Sequence, residues 1–200
     1  MSFAQIHDYV FYLMGASLLL AFYVIIERSL FYFSTLRESR KVTSFVESHL
    51  HDQALHHEIL DAFKSHRSPP AQALTEVVHA IQQKHPHERT EYIVQSIYVE
   101  KQPSLHTNLW ILDTVITLSP LMGLLGTILG IIDAFTSLSS GTVAADPAAV
   151  SRGIGTALYA TGFGIFIALF AMMFFNYFTS RAEYISNQIK LISLKLLGSG

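Results

Sequence analysis

The chain has 200 residues, of which half are hydrophobic, and its formal net charge is −2 at pH 7. The apolar residues are clustered, which predicts one membrane domain with polar segments attached to it. The nearly neutral charge argues against nucleic acid as a partner, and the absence of cysteine excludes disulfides and thiolate metal sites.

Three apolar segments are each long enough to cross a bilayer, since about 20 helical residues span its ~30 Å hydrocarbon core. The first, YVFYLMGASLLLAFYVII, begins at Tyr9 and has aromatic residues near both ends, as interfacial belts do. The second begins at Leu109 and reads LWILDTVITLSPLMGLLGTILGIIDAF. The third, RGIGTALYATGFGIFIALFAMMFFNY, ends at Tyr177. We therefore predict an all-α membrane protein with three transmembrane helices and helical extensions.

Lys and Arg residues near the helix ends predict the orientation. Arg28, Arg37 and Lys101 flank the long middle segment and Arg181 follows the third helix, whereas Arg152 lies on the opposite side. The N-terminus is therefore expected outside and the C-terminus inside. The predicted segments are an outer N-terminus at 1–8, transmembrane helices at 9–33, 106–136 and 151–179, an inner helical domain at 34–105, an outer loop at 137–150 and an inner tail at 180–200.

The inner domain has apolar residues at helical spacing, which predicts amphipathic helices that pack on each other or on neighbouring subunits. The first transmembrane helix is expected to run on until Ser68-Pro69-Pro70 interrupts it, because proline restricts the residue before it. The apolar stripes are Val42 to Leu50, Leu55 to Phe63, Leu74 to Ile81 (stopped near Pro86), Ile93 to Tyr98 (ending around Pro103) and, in the tail, Ile185 to Leu196.

Most of the ten histidines lie in the inner domain. His49 and His56, and likewise His85 and His87, are close in sequence, but their spacing matches no compact motif and no cysteine or ordered carboxylate set accompanies them. We therefore expect no metal and no cofactor, and a pH-responsive surface is the more plausible role for these histidines.

Small residues repeat along the second and third transmembrane helices. At intervals of three or four residues they let helix backbones approach closely, which is how membrane helices associate. We predict that these positions form helix-packing contacts. The predicted packing residues are Gly123, Gly126, Gly130, Gly153, Ala157, Gly164 and Ala168.

Hydroxyl groups at membrane depth are the candidates for function. Thr117, Pro120 and Thr127 lie along one face of the second helix, and Thr156 and Thr161 lie on the third. A lone threonine usually bonds to the carbonyl one turn back. Two threonines near the middle of adjacent, small-residue-rich helices can instead line a narrow polar path.

The middle of all three helices lacks Asp, Glu, His and Lys. Asp113 and Asp133 lie near the ends of the second helix, where carboxylates are more often interfacial anchors, although they could flank a pathway. If protons cross the membrane here, their carrier must therefore come from another chain.

At these residues the chain resembles the proton-channel family of ExbB, TolQ and MotA. SPLMGLLGTILGIIDAF is similar to the family's Pro-x-x-Gly-Leu-x-Gly-Thr-x-x-Gly motif, and GIGTALYATGFG is similar to its Gly-Ile-x-x-Ala-Leu-x-Ala-Thr-x-x-Gly motif. Three helices with the large loop inside resemble ExbB and TolQ rather than the four-helix MotA subunits.

The resemblance implies a helical oligomer, a pentamer, that encloses a single-span partner similar to ExbD or TolR. The partner's intramembrane Asp would carry the proton, and Thr127 and Thr161 would be pore-lining hydroxyls with Pro120 shaping the lining; Thr117 and Thr156 complete the predicted set. The chain departs from the family at Thr156, where many ExbB and TolQ members have Glu, so a direct Glu-based relay is not expected.

The expected function is that of a proton-channel and motor subunit, not an enzyme, in the bacterial inner membrane. It would use proton-motive force to energise TonB-dependent transport across the outer membrane, with a TonB-like protein as a further partner, a periplasmic N-terminus and a cytoplasmic C-terminus. Two alternatives stay open: a TolQ-like subunit for envelope integrity and constriction, and a passive scaffold that uses the small-residue stripes only for assembly. Ion dependence separates the channel from the scaffold.

Overall fold

The computed structural model describes residues 3–49, 59, 62–63, 68–83, 86–139 and 147–198. Within these residues the helices are α1 (Phe3–His49), α2 (Pro69–Gln82), α3 (His87–His106), α4 (Leu109–Ser139) and α5 (Pro147–Gly198). By length and composition, α1, α4 and α5 each contain a stretch apolar enough to cross a membrane. The prediction of an all-α chain with three candidate membrane-spanning helices is confirmed.

Proline residues lie at the start of three helices, and α5 begins at Pro147. α2 begins with Pro69 and Pro70, where the missing N–H needs no partner and the fixed φ angle suits a first turn. Pro86 immediately precedes α3. At the other end of α2, the backbone N–H of Gln83 donates to the His79 carbonyl oxygen at 3.2 Å.

Pro103 lies inside α3, which continues to His106, whereas the sequence predicted an end around Pro103. Proline has no N–H, so the carbonyl of Val99 one turn earlier loses its usual partner. Val99 and Pro103 are both exposed, so water is available to this carbonyl. The helix therefore tolerates proline in its last turn.

The chain divides into two compact units, and unit 1 comprises residues 1–26 and 108–176. It contains the first part of α1, all of α4 and the first part of α5. The ring centroids of Phe22 on α1 and Phe170 on α5 are 5.2 Å apart. Large apolar side chains such as Leu19 and Leu169 are exposed, which suits contact with lipid or with other chains.

Unit 2 comprises residues 27–107 and 177–200. Tyr32 on α1 donates its hydroxyl proton to the Leu105 carbonyl oxygen at 2.6 Å, and its ring stacks on Phe178 with centroids 5.5 Å apart. α2 packs against α3. The apolar stripes of this unit have a buried core made of Val42, Val46, Leu74, Val77, Val78, Val94, Ile97, Ile185, Ile189, Ile192 and Leu196.

Some predictions fall outside the described residues. They include the continuation of α1 through Leu55 and Leu60, most of the loop at 137–150, and the side chains of His49, His56, His85 and His87. Within the described ranges, no group of three His, Asp or Glu side chains is placed to hold a metal ion.

Candidate functional site

α4 and α5 pack closely within unit 1 because small residues on the two helices face each other. A Cβ atom added to Gly123 would lie 2.9 Å from the carbonyl oxygen of Ala160. One added to Gly126 would lie 2.8 Å from the Cβ of Ala160, and one added to Gly130 would lie 2.8 Å from the Cβ of Ala157. Side chains do not fit at these separations, so glycine is what allows the two backbones to approach.

Gly164 on α5 marks the tightest approach between the two helices. An added Cβ there would overlap the carbonyl oxygen of Ser119 on α4. Towards the other end of the contact, an added Cβ at Gly153 would lie 3.1 Å from the Cβ of Ala134. Ala168 is buried as well. The predicted packing glycines of α4 and α5 therefore lie on facing surfaces.

Ser119 was not among the predicted site residues, although it lies on the same surface of α4. Its side chain is fully buried, and its hydroxyl has no hydrogen-bond partner within the described part of the chain. The sequence does carry a signal for it, because Ser119 stands one turn before Gly123 and so begins the series of small residues.

Thr161 links the two helices through a hydrogen bond. Its hydroxyl donates to the carbonyl oxygen of Gly123 at 2.9 Å. Thr127, the other predicted mid-membrane hydroxyl, donates to the Leu124 carbonyl oxygen of its own helix at 2.7 Å. Both side chains are half-buried and both protons are used within the chain, but each oxygen keeps its capacity to accept a hydrogen bond.

A second face of α4, here called the open face, lies on a different side of the helix from its packing glycines. The open face consists of Asp113, Thr117, Pro120, Leu124, Thr127 and Ile131. These residues recur every three or four positions, which places them on one side of a helix, and all are exposed or half-buried. The hydroxyl of Thr117 donates to the Thr114 carbonyl oxygen at 3.0 Å. The open face thus presents two hydroxyl-bearing side chains that close packing against α5 does not require.

Thr156 lies apart from both groups of residues. It is exposed on α5, and its hydroxyl donates to the Arg152 carbonyl oxygen at 2.9 Å. The structure therefore brings Thr161 to Gly123 in the contact between α4 and α5, and it puts Thr117 and Thr127 on the open face. Thr156 lies neither in that contact nor on the open face. The pore-lining role of these threonines and of Pro120 stays a prediction.

The profile of the MotA/TolQ/ExbB proton channel family matches residues 64–191, which include α2 to α4 and most of α5. The matched region is more than half of the chain, and this chain belongs to that family. The family is one of proton channels rather than of enzymes.

Individual relatives carry both ExbB and TolQ names. An ExbB-like biopolymer transport protein of Synechocystis is 48% identical over 69 residues, 34% of this chain and 33% of that protein. An ExbB homologue of Methanothermobacter thermautotrophicus is 33% identical over 102 residues, 51% of this chain and 36% of the relative. The Tol-Pal system protein TolQ of Pseudomonas aeruginosa is 39% identical over 83 residues, 42% of this chain and 36% of the relative. The chain thus spans only about a third of the length of each of these relatives.

Proposed function

We propose that this chain is a proton-channel and motor subunit of an ExbB–ExbD-type complex in the bacterial inner membrane, which uses proton-motive force to energise TonB-dependent transport across the outer membrane. The observation that carries the proposal is that, in a chain of this family, Thr117 and Thr127 lie on the open face of α4. Because the glycines of α4 serve the contact with α5, the open face is free to line a pore between copies of the chain.

The proposed pore needs a titratable group from a second protein. The apolar middle parts of α1, α4 and α5 contain no Asp, Glu, His or Lys. A charge left in hydrocarbon costs at least ~2.5–3.5 kcal/mol, so a lining of hydroxyls and apolar groups conducts ions poorly by itself. We propose a pentamer around a single-span ExbD- or TolR-like helix, whose Asp carries the proton beside Thr127 and Thr161. Protons are then the coupled ion, no metal or cofactor is required, and a TonB-like protein receives the work.

The proposed orientation puts the basic segments of the chain on the cytoplasmic side. Of the 13 Lys and Arg residues, all except Arg152 lie within 27–107 or 177–200. Cytoplasmic segments of membrane proteins carry such an excess of basic residues. The N-terminus is then periplasmic and the C-terminus cytoplasmic.

Proton flux into liposomes tests the channel. The chain is reconstituted alone, with an ExbD-type single-span protein, and with the same protein carrying Asn in place of its intramembrane Asp. We expect flux only with the unmodified partner, and we expect the Asn variant to bind without conducting. Strong flux from this chain alone would contradict the proposed division of labour between the two proteins.

Thiol labelling tests whether the open face lines the pore. The chain has no cysteine, so Thr127→Cys and Leu125→Cys each carry a single thiol. Leu125 is a matched control, because it is 46% exposed on another side of the same helix. A charged, water-soluble methanethiosulfonate reagent should modify Thr127→Cys in the assembled complex and spare Leu125→Cys in lipid. If both thiols are spared, the open face lies against lipid or protein and the passive scaffold is favoured.

A TolQ-like role is the second candidate, because TolQ of Pseudomonas aeruginosa is 39% identical over 83 residues. Complementation separates the two roles. The chain is expressed in two bacterial strains, the first lacking ExbB and the second lacking TolQ. We expect it to restore TonB-dependent uptake in the first strain. Restored envelope integrity in the second strain alone would assign the TolQ-like role instead.

A further inference from the structure

Asp113 lies at the N-terminal end of the open face of α4. Its side chain is exposed, one turn before Thr117, and it is about 21 Å from Thr127 along the helix axis at ~1.5 Å per residue. The other acidic residue of α4, Asp133, is turned away from Asp113 by about 160° at 3.6 residues per turn. Among the described residues of α4, Asp113 is therefore the one carboxylate on the open face.

The Asp113 carboxylate forms no ion pair with the residues that the structure describes. Among the described residues, no Lys or Arg lies within ion-pair distance of it. The neighbouring hydroxyl, that of Thr117, bonds to the Asp113 backbone oxygen at 3.2 Å and to no side chain. The Asp113 carboxylate is therefore exposed and held by no described basic side chain, so pore water can reach it.

We propose that Asp113 is the group through which protons leave the pore at the cytoplasmic end of α4. This inference rests on the proposed function, because it needs protons that arrive from a carrier near Thr127. The carboxylate of Asp113 accepts a proton from pore water and becomes a neutral carboxylic acid. It then gives the proton to water on the cytoplasmic side, so the carboxylate is restored and no proton is gained or lost over a cycle.

A second reading of Asp113 is purely structural. An acidic side chain near the N-terminus of a helix interacts favourably with the positive end of the helix dipole, and Asp113 lies in the second turn of α4. That reading predicts that Asp113→Asn lowers the thermal stability of the protein but leaves the proton flux per assembled complex unchanged. The proton-exit role predicts instead that Asp113→Asn lowers the proton flux per assembled complex and leaves the thermal stability unchanged.

The test uses the complete complex with an ExbD-type partner in liposomes, with flux normalised to assembled complex. A positioned proton-transfer group commonly contributes a factor of ~10²–10⁴, so we expect Asp113→Asn to lower the flux roughly tenfold or more. Asp113→Glu keeps a carboxylate and should retain most of the flux. Asp133→Asn is the matched control, since it removes a carboxylate from the opposite side of the same helix, and it should conduct like the wild type.

Each outcome decides a separate question. If the wild-type complex does not conduct, the proposed function itself fails. If the wild type conducts and Asp113→Asn conducts equally well, the exit role is overturned and the channel stands. If Asp113→Asn does not assemble, Asp113→Glu decides: an assembled Glu variant that conducts supports the exit role, and one that does not conduct overturns it.

Discussion

The hydroxyl of Thr161 on α5 donates a hydrogen bond to the carbonyl oxygen of Gly123 on α4, at 2.9 Å. The same glycine permits the close contact, because a Cβ atom added to it would lie 3.0 Å from the Cα of Thr161. The hydrogen bond and the close packing therefore depend on the same residue, Gly123. A carbonyl oxygen has two lone pairs, so Gly123 can accept from Thr161 in addition to any bond within its own helix.

Replacing Thr161 with Val should destabilise the contact between α4 and α5. Valine keeps the shape of the side chain but cannot donate to the Gly123 carbonyl oxygen. Hydrogen bonds between membrane helices contribute ~0.6 kcal/mol on average and up to ~1.7 kcal/mol, so a small fall in the thermal unfolding temperature in detergent is expected. Thr161→Ser retains the donor and is the control. If the Val variant is as stable as the wild type, the hydrogen bond contributes nothing measurable.

Gly164→Ala should be far more damaging than Gly162→Ala on the same helix. An added Cβ at Gly164 overlaps the Ser119 carbonyl oxygen, whereas at Gly162 it meets no described atom within 4 Å apart from its own stretch of helix backbone. Overpacking typically costs ~1–3 kcal/mol, while alanine in an open helical position is favoured over glycine by up to ~1 kcal/mol. Thermal unfolding of the two variants measures the difference. Equal stability would mean that α4 and α5 do not pack at this distance.

Much of the fold could be predicted from the sequence, since the relevant signals are local. Segment length and apolar composition identified α1, α4 and α5, and the spacing of Gly123, Gly126 and Gly130 identified the packing surface of α4. A helical stripe such as that of the α5 tail also predicts its own buried side. The open face was readable for the same reason, because Thr117, Pro120, Leu124 and Thr127 recur every three or four residues.

The rest could not be predicted, because it depends on which atoms of distant segments meet. Thr127 bonds within its own helix, as isolated threonines usually do, and nothing local distinguishes it from Thr161, which bonds across to Gly123. In the same way, Arg28 reads as a topology signal at the end of an apolar segment, yet its side chain is buried in the structure. Ser119 continues the spacing of the α4 glycines, but that its side chain is fully buried follows only from the packing of the distant helix α5.

The ion pair between Lys101 on α3 and Glu76 on α2 should contribute modestly to the stability of unit 2. The Lys101 ammonium donates to the Glu76 carboxylate at 2.7 Å, and this hydrogen bond raises the pKa of Lys101 above its usual value. Ion pairs near the surface contribute ~0.2–1 kcal/mol, so Lys101→Met should lower the thermal unfolding temperature slightly. Lys195→Met is a matched control, because it breaks a pair of the same length with Glu47 that is more exposed.

The pH dependence of this effect follows from the direction of the shift. A raised pKa in the folded state means that the folded protein binds the proton more tightly than the unfolded chain does. The contribution of Lys101 is therefore fully present below the lysine's ordinary pKa of about 10.5 and disappears as the pH rises through its raised value in the folded protein. The stability difference between wild type and Lys101→Met should thus stay constant from about pH 7 to about pH 9. A difference that fades within this range would contradict a raised pKa.

Arg28 and Glu27 form a partly buried charge pair in which Arg28 is much less exposed than Glu27. The Nε and Nη2 atoms of Arg28 donate to the two carboxylate oxygens of Glu27 at 2.7 and 2.9 Å, and the guanidinium lies 4.7 Å from the ring centroid of Phe31. The side chain of Arg28 is 5% exposed and that of Glu27 is 33% exposed. Removing Glu27 therefore leaves a buried cation without its carboxylate, whereas removing Arg28 leaves a carboxylate that water can reach.

Glu27→Met should consequently be more destabilising than Arg28→Met. Breaking a buried pair from one side costs up to ~3–5 kcal/mol, while replacing both members with apolar residues is often neutral. The double variant, with Met at both positions, should therefore be more stable than Glu27→Met alone, because no uncompensated charge remains. Thermal unfolding of the two single variants and the double variant in detergent measures all three values. If the two single variants are equally destabilised and their effects simply add in the double variant, the two charges are solvated independently and the pair does not stabilise the fold.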